Sequence, residues 1–323
     1  MKRVVTSSDL TQHAMRPADL LETYLAHAEA DIARFELLQG GLQRDCPACG
    51  GHGAPEFVRL GFPYRRCLAC RSLFVSPVPN EDRLARYHAE GAAERFRREQ
   101  VLPMTADVRT RHALAPRARW VLAAAVARLG PRFTFAQFGE ESVPLLESLG
   151  AAASLIRWSN DMSSDPAEAQ LDGAIAFEVF ERCADFSGAL HRCRRALQPG
   201  GLLFVTTMSG DGFEVRMLGA RTAAIVPPVH LQLLSRAGWL SALTREGFTL
   251  VEYSTPGELD VQAVAEVCRR DPHFLLPPIL DELVRHEDEQ VGRVFQELLQ
   301  QACLSSHVQL IAEASSNEAT TSA

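Results

Sequence analysis

Lysine is nearly missing from this 323-residue sequence. Lys2 is the only one, and every other basic residue is arginine. Alongside abundant alanine, this bias reads as a property of the coding sequence rather than a demand for guanidinium chemistry. Long apolar runs are also missing: no stretch of 18 apolar residues is present to cross a bilayer. The N-terminus lacks the apolar segment of a secretory signal, so the expected location is cytoplasmic, with no membrane partner. Basic excess is absent too. A formal charge of −7 argues against a general affinity for nucleic acid. With 46% hydrophobic and 23% charged residues, a disordered or fibrous chain is excluded, and the length suggests two folded units. Neither a G-x-S-x-G elbow nor a phosphate-binding P-loop occurs.

What the sequence does have is a cysteine framework. Cys46, Cys49, Cys67 and Cys70 form C-x2-C-x17-C-x2-C, while Cys183, Cys193, Cys268 and Cys303 are scattered. In a reducing compartment the paired set points to a metal rather than to disulfides. Two thiolates separated by two residues reach one tetrahedral Zn²⁺ from a tight turn, and the second pair completes the shell. Gly50 follows the second ligand, where a knuckle needs a permissive backbone. Glu56–Leu60 and Pro63–Arg66 suit a short hairpin, and Ser72–Val75 a further strand. This is the pattern of a zinc ribbon. Four thiolates leave no open position for water, so the expected zinc is structural. His52 reads as a solvated loop residue.

Helical spacing of Leu20, Leu21, Tyr24, Leu25, Ala28, Ile32, Phe35 and Leu38 predicts an amphipathic helix ended by Gly40–Gly41. Residues 81 to 130 read as helical, and their arginines, diluted by glutamates, as a solvated face. From 133 onward strands and helices alternate. Strands are expected at 133–138, 153–156, 172–177, 202–207 and 249–253, with helices around 186–197 and 235–246. Such alternation predicts an α/β fold with a mainly parallel, Rossmann-like sheet covered on both faces. Ligands in such sheets bind beyond the carboxyl ends of the strands.

The stretch Leu171-Asp172-Gly173-Ala174-Ile175-Ala176-Phe177-Glu178, followed by Leu197-Gln198-Pro199-Gly200-Gly201-Leu202-Leu203, resembles the fourth strand and the turn before the fifth in class I S-adenosylmethionine (SAM) methyltransferases. Pro227-Pro228-Val229-His230-Leu231, Ser254-Thr255-Pro256-Gly257-Glu258-Leu259-Asp260 and Leu304-Ser305-Ser306-His307 resemble the subgroup that carries an N-terminal four-cysteine ribbon. The resemblance covers roughly residues 45 to 311. It implies SAM as cofactor and a small molecule or sugar as substrate; no D-P-P-Y or N-P-P-Y segment is present, which disfavours base amino groups. The expected organisation is an N-terminal helical segment (1–44), the ribbon (45–76) and a helical connector (77–130). A methyltransferase-like Rossmann domain (131–255), a helical and strand extension (256–311) and a disordered tail (312–323) follow.

The cofactor segments depart from that family. Its first strand ends in an acidic residue and a G-x-G-x-G loop, where glycines admit the ligand and a helix N-terminus meets the methionine carboxylate. Here the stretch is Gln137-Phe138-Gly139-Glu140-Glu141-Ser142-Val143. Two carboxylates at a helix start satisfy its dipole themselves and repel a ligand carboxylate, although Glu140 could instead hold the methionine amino group. The acid that bonds the ribose hydroxyls in relatives falls near Arg157, a donor only, with Asp161 four residues on. Where relatives have Glu-His, this chain has Glu181–Arg182. The cofactor-site candidates are therefore Gly139, Glu140, Asp161 and Glu178.

His230 is the candidate general base, with an unperturbed pKa suited to deprotonating a substrate hydroxyl or acidic carbon. His307 is expected to cap a sheet edge or a helix. Two readings remain: a ribbon-bearing SAM-dependent methyltransferase with an atypical cofactor site, or an inactive methyltransferase fold kept as a scaffold for a protein partner.

Overall fold

The computed structural model describes residues 4–138, 153–157 and 171–316. An amphipathic helix α1 (Ala18–Arg34) precedes the hairpin β1 (Gly53–Arg59) and β2 (Phe62–Cys67), then β3 (Leu73–Val75). Helix α2 (Glu81–Glu90) starts at Asn80, whose side chain accepts from the Arg83 N–H. Short α and π turns follow, through to α3 (Ala115–Leu129). The body continues with β4 (Phe133–Phe138), β5 (Ala153–Arg157), β6 (Leu171–Phe177), α4 (Phe186–Ala196) and β7 (Leu197–Met208). Then come α5 (Phe213–Leu218), β8 (Gln232–Leu233), α6 (Arg236–Arg245) and β9 (Phe248–Ser254). Helices α7 (Asp260–Arg270), α8 (Pro278–Arg285) and α9 (Glu289–Gln301) lead into β10 (His307–Ala314).

Among the described residues the larger sheet has the order β5-β4-β6-β7-β10-β9. The pairings from β5 to β7 are parallel, and β10 runs antiparallel to both β7 and β9. The sheet is therefore mixed. Residues 307–311, expected to belong to a separate extension, lie inside this sheet. The tail expected from Ala312 starts too early, because Ala312 pairs with Leu203 and Ala314 with Phe248. The largely apolar run Val308-Gln309-Leu310-Ile311-Ala312 fills the gap between β7 and β9, and its burial outweighs its small-residue composition.

Alternation along the central strands sorts the two faces. Ala174, Ala176, Leu203 and Val205 point to one core with Phe186 and Trp239, whereas Ile175, Phe177, Leu202 and Phe204 point to α3 on the other. Gly173 has no tolerance for a side chain, since a Cβ there would sit 2.3 Å from the Phe135 ring.

The cysteine unit is not a free appendage. Its strands form a second antiparallel sheet, β1-β2-β3-β8, whose last strand comes from the α/β body. Cys46, Ala48, Cys67 and Cys70 share one core with Phe180, Phe186 and Trp239. Ser235 joins the halves. Its Oγ accepts from the Gly238 N–H at 2.9 Å, capping α6, and donates to the Cys70 carbonyl. Arg245 at the far end of α6 donates to the carbonyls of Ala48 and Pro47, holding the first cysteine knuckle. No helix among the described residues is long and apolar enough to cross a membrane.

Because Ser235 serves as helix cap and as seam between the two sheets, Ser235→Ala is expected to lower stability by about 2 kcal/mol. Urea unfolding checks this; an unchanged midpoint would show that the seam does not depend on this hydroxyl.

Candidate functional site

The described residues line a cavity of about 940 Å3 at the carboxyl end of β6, walled in part by the N-terminal segment, α1 and α3. Glu178, directly after β6, adopts a left-handed backbone with φ of 54°. Its N–H donates to the Thr206 carbonyl at 2.8 Å, which fixes this turn against β7. The side chain faces the cavity, where Oε1 accepts from Arg117 Nη2 at 2.8 Å and Thr206 Oγ1 at 2.9 Å and lies 2.9 Å from His307 Nε2. These partners, His307 and Arg117 foremost, hold the Glu178 carboxyl well below the usual carboxylate range despite its burial. Glu178 thus lines the cavity, and its charge is met by Arg117 and His307.

His307 is correspondingly not at a sheet edge. It opens β10, opposite Met208 of β7, and turns its ring onto Glu178. Arg117, expected on a solvated helical face, is buried beneath the same carboxylate. The basic stripe concealed it because nothing in a helical period of arginines marks the one that turns inward.

Glu181 lies one turn on, fully buried against Glu178. Its Oε2 accepts from Thr207 Oγ1 at 3.1 Å, while Oε1 has no partner. Burial and the neighbouring Glu178 carboxylate push the Glu181 carboxyl well above its ordinary range. Within the pair Glu178 is driven toward the anion and Glu181 toward the neutral acid.

His230 lines the same cavity. Its loop is clamped from three directions. Tyr64 of β2 donates its hydroxyl to the His230 carbonyl, the Val75 N–H of β3 donates to the Leu231 carbonyl at 2.8 Å, and the Leu231 N–H donates to the Glu181 carbonyl at 2.7 Å. Burial drives the imidazole down to about 4, so the ring is neutral at physiological pH. Its Nδ1 sits 3.1 Å from the Val226 N–H and 3.2 Å from the Val226 carbonyl. That carbonyl already accepts from the His230 backbone N–H. The Val226 N–H has no other acceptor among the described residues, so the arrangement without an orphan leaves Nδ1 unprotonated and the proton on Nε2. In that tautomer His230 offers the cavity a donor. The general base expected from the sequence would need the opposite tautomer at Nε2.

The four cysteines of the C-x2-C pairs converge. Sγ of Cys46 and Cys70 are 3.6 Å apart, those of Cys49 and Cys67 3.5 Å, and all four lie within 4.8 Å of one another. Four sulfurs placed tetrahedrally about 2.3 Å from one zinc would be separated by about 3.8 Å, so this set could hold a metal. His52 turns away to Asp45 at 2.9 Å. Gly139, Glu140 and Asp161, together with Glu141 and the side chain of Arg157, lie outside the described residues, as does the tail from 317.

Residues 107–253, from within the helical connector into β9, match a family model described as a methyltransferase domain. That segment is similar to a methyltransferase domain. Among solved structures it is similar to a Galdieria sulphuraria protein assigned as a sarcosine dimethylglycine methyltransferase, at 15% identity and TM-score 0.42, over 64% of this chain and 86% of that one. It is also similar to Burkholderia thailandensis 1,6-didemethyltoxoflavin-N1-methyltransferase with bound 1,6-didemethyltoxoflavin and S-adenosylhomocysteine, at 12% identity and TM-score 0.39, over 81% and 99%. A third is the complex between the Haloferax volcanii Trm112 methyltransferase activator and a protein assigned as a methyltransferase, at 14% identity and TM-score 0.40, over 65% and 96%. No curated protein matches the sequence.

The Glu178–Glu181 pair gives a pH signature. A carboxyl whose folded pKa is raised binds its proton more tightly in the native state, so it costs stability as pH rises above the unfolded value near 4.5 toward its folded value. Glu181→Gln removes that loss. The variant is expected to be as stable as wild type near pH 4.5 and more stable from pH 7 to 9, read as melting temperature against pH. Parallel curves for the two proteins would contradict a neutral Glu181.

Proposed function

We propose that this protein is a SAM-dependent methyltransferase of the class I kind, acting on a small molecule or sugar bound in the cavity beside Glu178 and His230. The observation that carries the reading is the cavity at the carboxyl end of β6, a parallel strand of the segment that matches the methyltransferase domain family. SAM when bound supplies an electrophilic methyl group for in-line displacement. The contribution of the chain is then chiefly positioning. Glu178, locked by Arg117, Thr206 and His307, fixes the turn that closes the inner end of the cavity. His230, neutral and held at both backbone ends, presents Nε2–H to an acceptor oxygen without bringing a charge. The apolar wall of α1 and α3 excludes water.

Calorimetric titration of metal-loaded protein with SAM and S-adenosylhomocysteine tests this reading. Micromolar binding of both is the expected result. Absence of heat and of any thermal shift at millimolar ligand would overturn it in favour of a scaffold that has lost its cofactor. Glu140 and Glu141 in the glycine loop, and Arg157 near the ribose-binding position, favour that second reading.

The cysteine cluster is proposed as a structural zinc site with Cys46, Cys49, Cys67 and Cys70 as ligands. Fourfold thiolate coordination leaves no position for a substrate, so the metal acts by holding the two knuckles against α6. One zinc per chain is expected by elemental analysis, and Co²⁺ substitution should give thiolate charge-transfer bands that disappear in Cys67→Ser. Chelation should lower the melting temperature markedly, because the ligands sit in the shared core. A metal-free protein of unchanged stability would contradict the assignment.

A further inference from the structure

The polar groups on the cavity wall do not balance. Glu178 is answered by Arg117 and His307. Asp260, at the start of α7, accepts from Ser305 Oγ at 2.6 Å, the Ser306 N–H at 2.7 Å and Gln296 Nε2 at 3.1 Å. Glu214 accepts from the Thr222 hydroxyl, and burial raises both it and Glu181 toward the neutral acid. Glu252 accepts from the Trp120 indole at 3.0 Å. Glu258 is the exception, half-buried and without a hydrogen-bond partner among the described residues.

Against these stand donors with nothing to bind. Arg16, on the turn that leads into α1, has a buried Nη1 with no partner, and none of its guanidinium nitrogens is hydrogen-bonded among the described residues. Arg182 has a buried, unpartnered Nε. Its Nη2 lies 3.8 Å from Glu94, a carboxylate shared with Arg97 at 3.3 Å. The Nε2–H of His230 is the third open donor. Arg16, Arg182 and His230 all line this one cavity, and the His230 ring feels Glu178 as well as both guanidiniums. A buried N–H without an acceptor costs free energy that a bound acceptor restores. The lining also offers apolar side chains, with Leu10, Met15, Leu20, Leu21, Trp120 and Val229. A bare inorganic ion would leave most of about 940 Å3 unfilled.

We propose that the cavity binds a small organic anion, a carboxylate or phosphate ester on an apolar body, whose charged end is held by Arg16, Arg182 and the Nε2–H of His230. Naming this anion as the methyl acceptor rests on the transferase reading; its binding does not. A donor set of this kind suits an anionic oxygen. Charge-assisted hydrogen bonds from two guanidiniums anchor one end, and the apolar wall takes the other.

Calorimetry on metal-loaded protein without cofactor tests the binding, with octanoate, octyl phosphate and neutral octanol as probes. At least one anion is expected to bind at least about tenfold more tightly than octanol. The tighter of the two anions assigns the headgroup. Arg16→Gln should weaken the anion about tenfold or more and leave octanol unchanged, and it should fold normally because the Arg16 guanidinium makes no hydrogen bond among the described residues. Arg182→Gln should do the same, and His230→Gln takes its place if losing the contact to Glu94 unfolds the chain. Octanol binding as tightly as the anions, anion affinity unchanged in Arg16→Gln, or no anion binding at millimolar concentration would each overturn the proposal. Anion binding without SAM binding would uphold it while the transferase reading fails, and SAM binding without anion binding would do the reverse.

Discussion

The pairing of β3 with β8 is the contact on which the rest of the site depends. Only Leu73–Leu233 and Phe74–Gln232 are in register across it, yet it makes a strand of the α/β body the last strand of the cysteine sheet. Two residues is too short a pairing to stand alone. Side chains on both sides reinforce it. Gln232 donates to the carbonyls of Phe180 and Cys183, Arg44 donates to the Leu231 carbonyl and to Gln232 Oε1, and Ser235 binds the Cys70 carbonyl. His230 lies two residues before β8, so the geometry of the cavity wall is set by how the cysteine unit seats on the body.

The cavity itself is organised by charge burial. A carboxylate at the end of β6 is bound by an arginine from α3 and a histidine from β10, three segments distant in sequence. Its neighbour Glu181 then stays protonated, since two adjacent buried anions would repel at low dielectric. The result is a wall whose acidic groups are largely satisfied or neutral, while several of its donors remain open. That asymmetry follows from which arginines turn inward, and it gives the cavity a preference that neither the net charge of −7 nor the overall composition shows.

Much of the fold was legible in the sequence. The strands at 133–138, 153–157 and 171–177 follow from apolar runs bounded by turn residues, and the C-x2-C pairs announced their own convergence. The site was less so. Glu178 and His230 could be placed near a pocket from the segments that surround them. The partners that decide their chemistry, Arg117, His307 and the Val226 N–H, are long-range or backbone groups with no local signature. The tautomer of His230 depends on one amide with no other acceptor, which only coordinates can reveal. β10 escaped because an apolar octet near a polar C-terminus resembles the end of an extension until its two neighbours are known.

The account stands most directly on the state of His230: a neutral ring, protonated at Nε2, offered to the cavity by a loop fixed from the cysteine sheet. Long-range 1H–15N correlation spectra of 15N-histidine-labelled protein at pH 7, with His230 assigned from a His230→Gln sample, would read it. The prediction is a neutral imidazole with Nε2 as the protonated nitrogen and Nδ1 as the acceptor. A protonated Nδ1, or an imidazolium at that pH, would contradict it and return His230 to the role of a base.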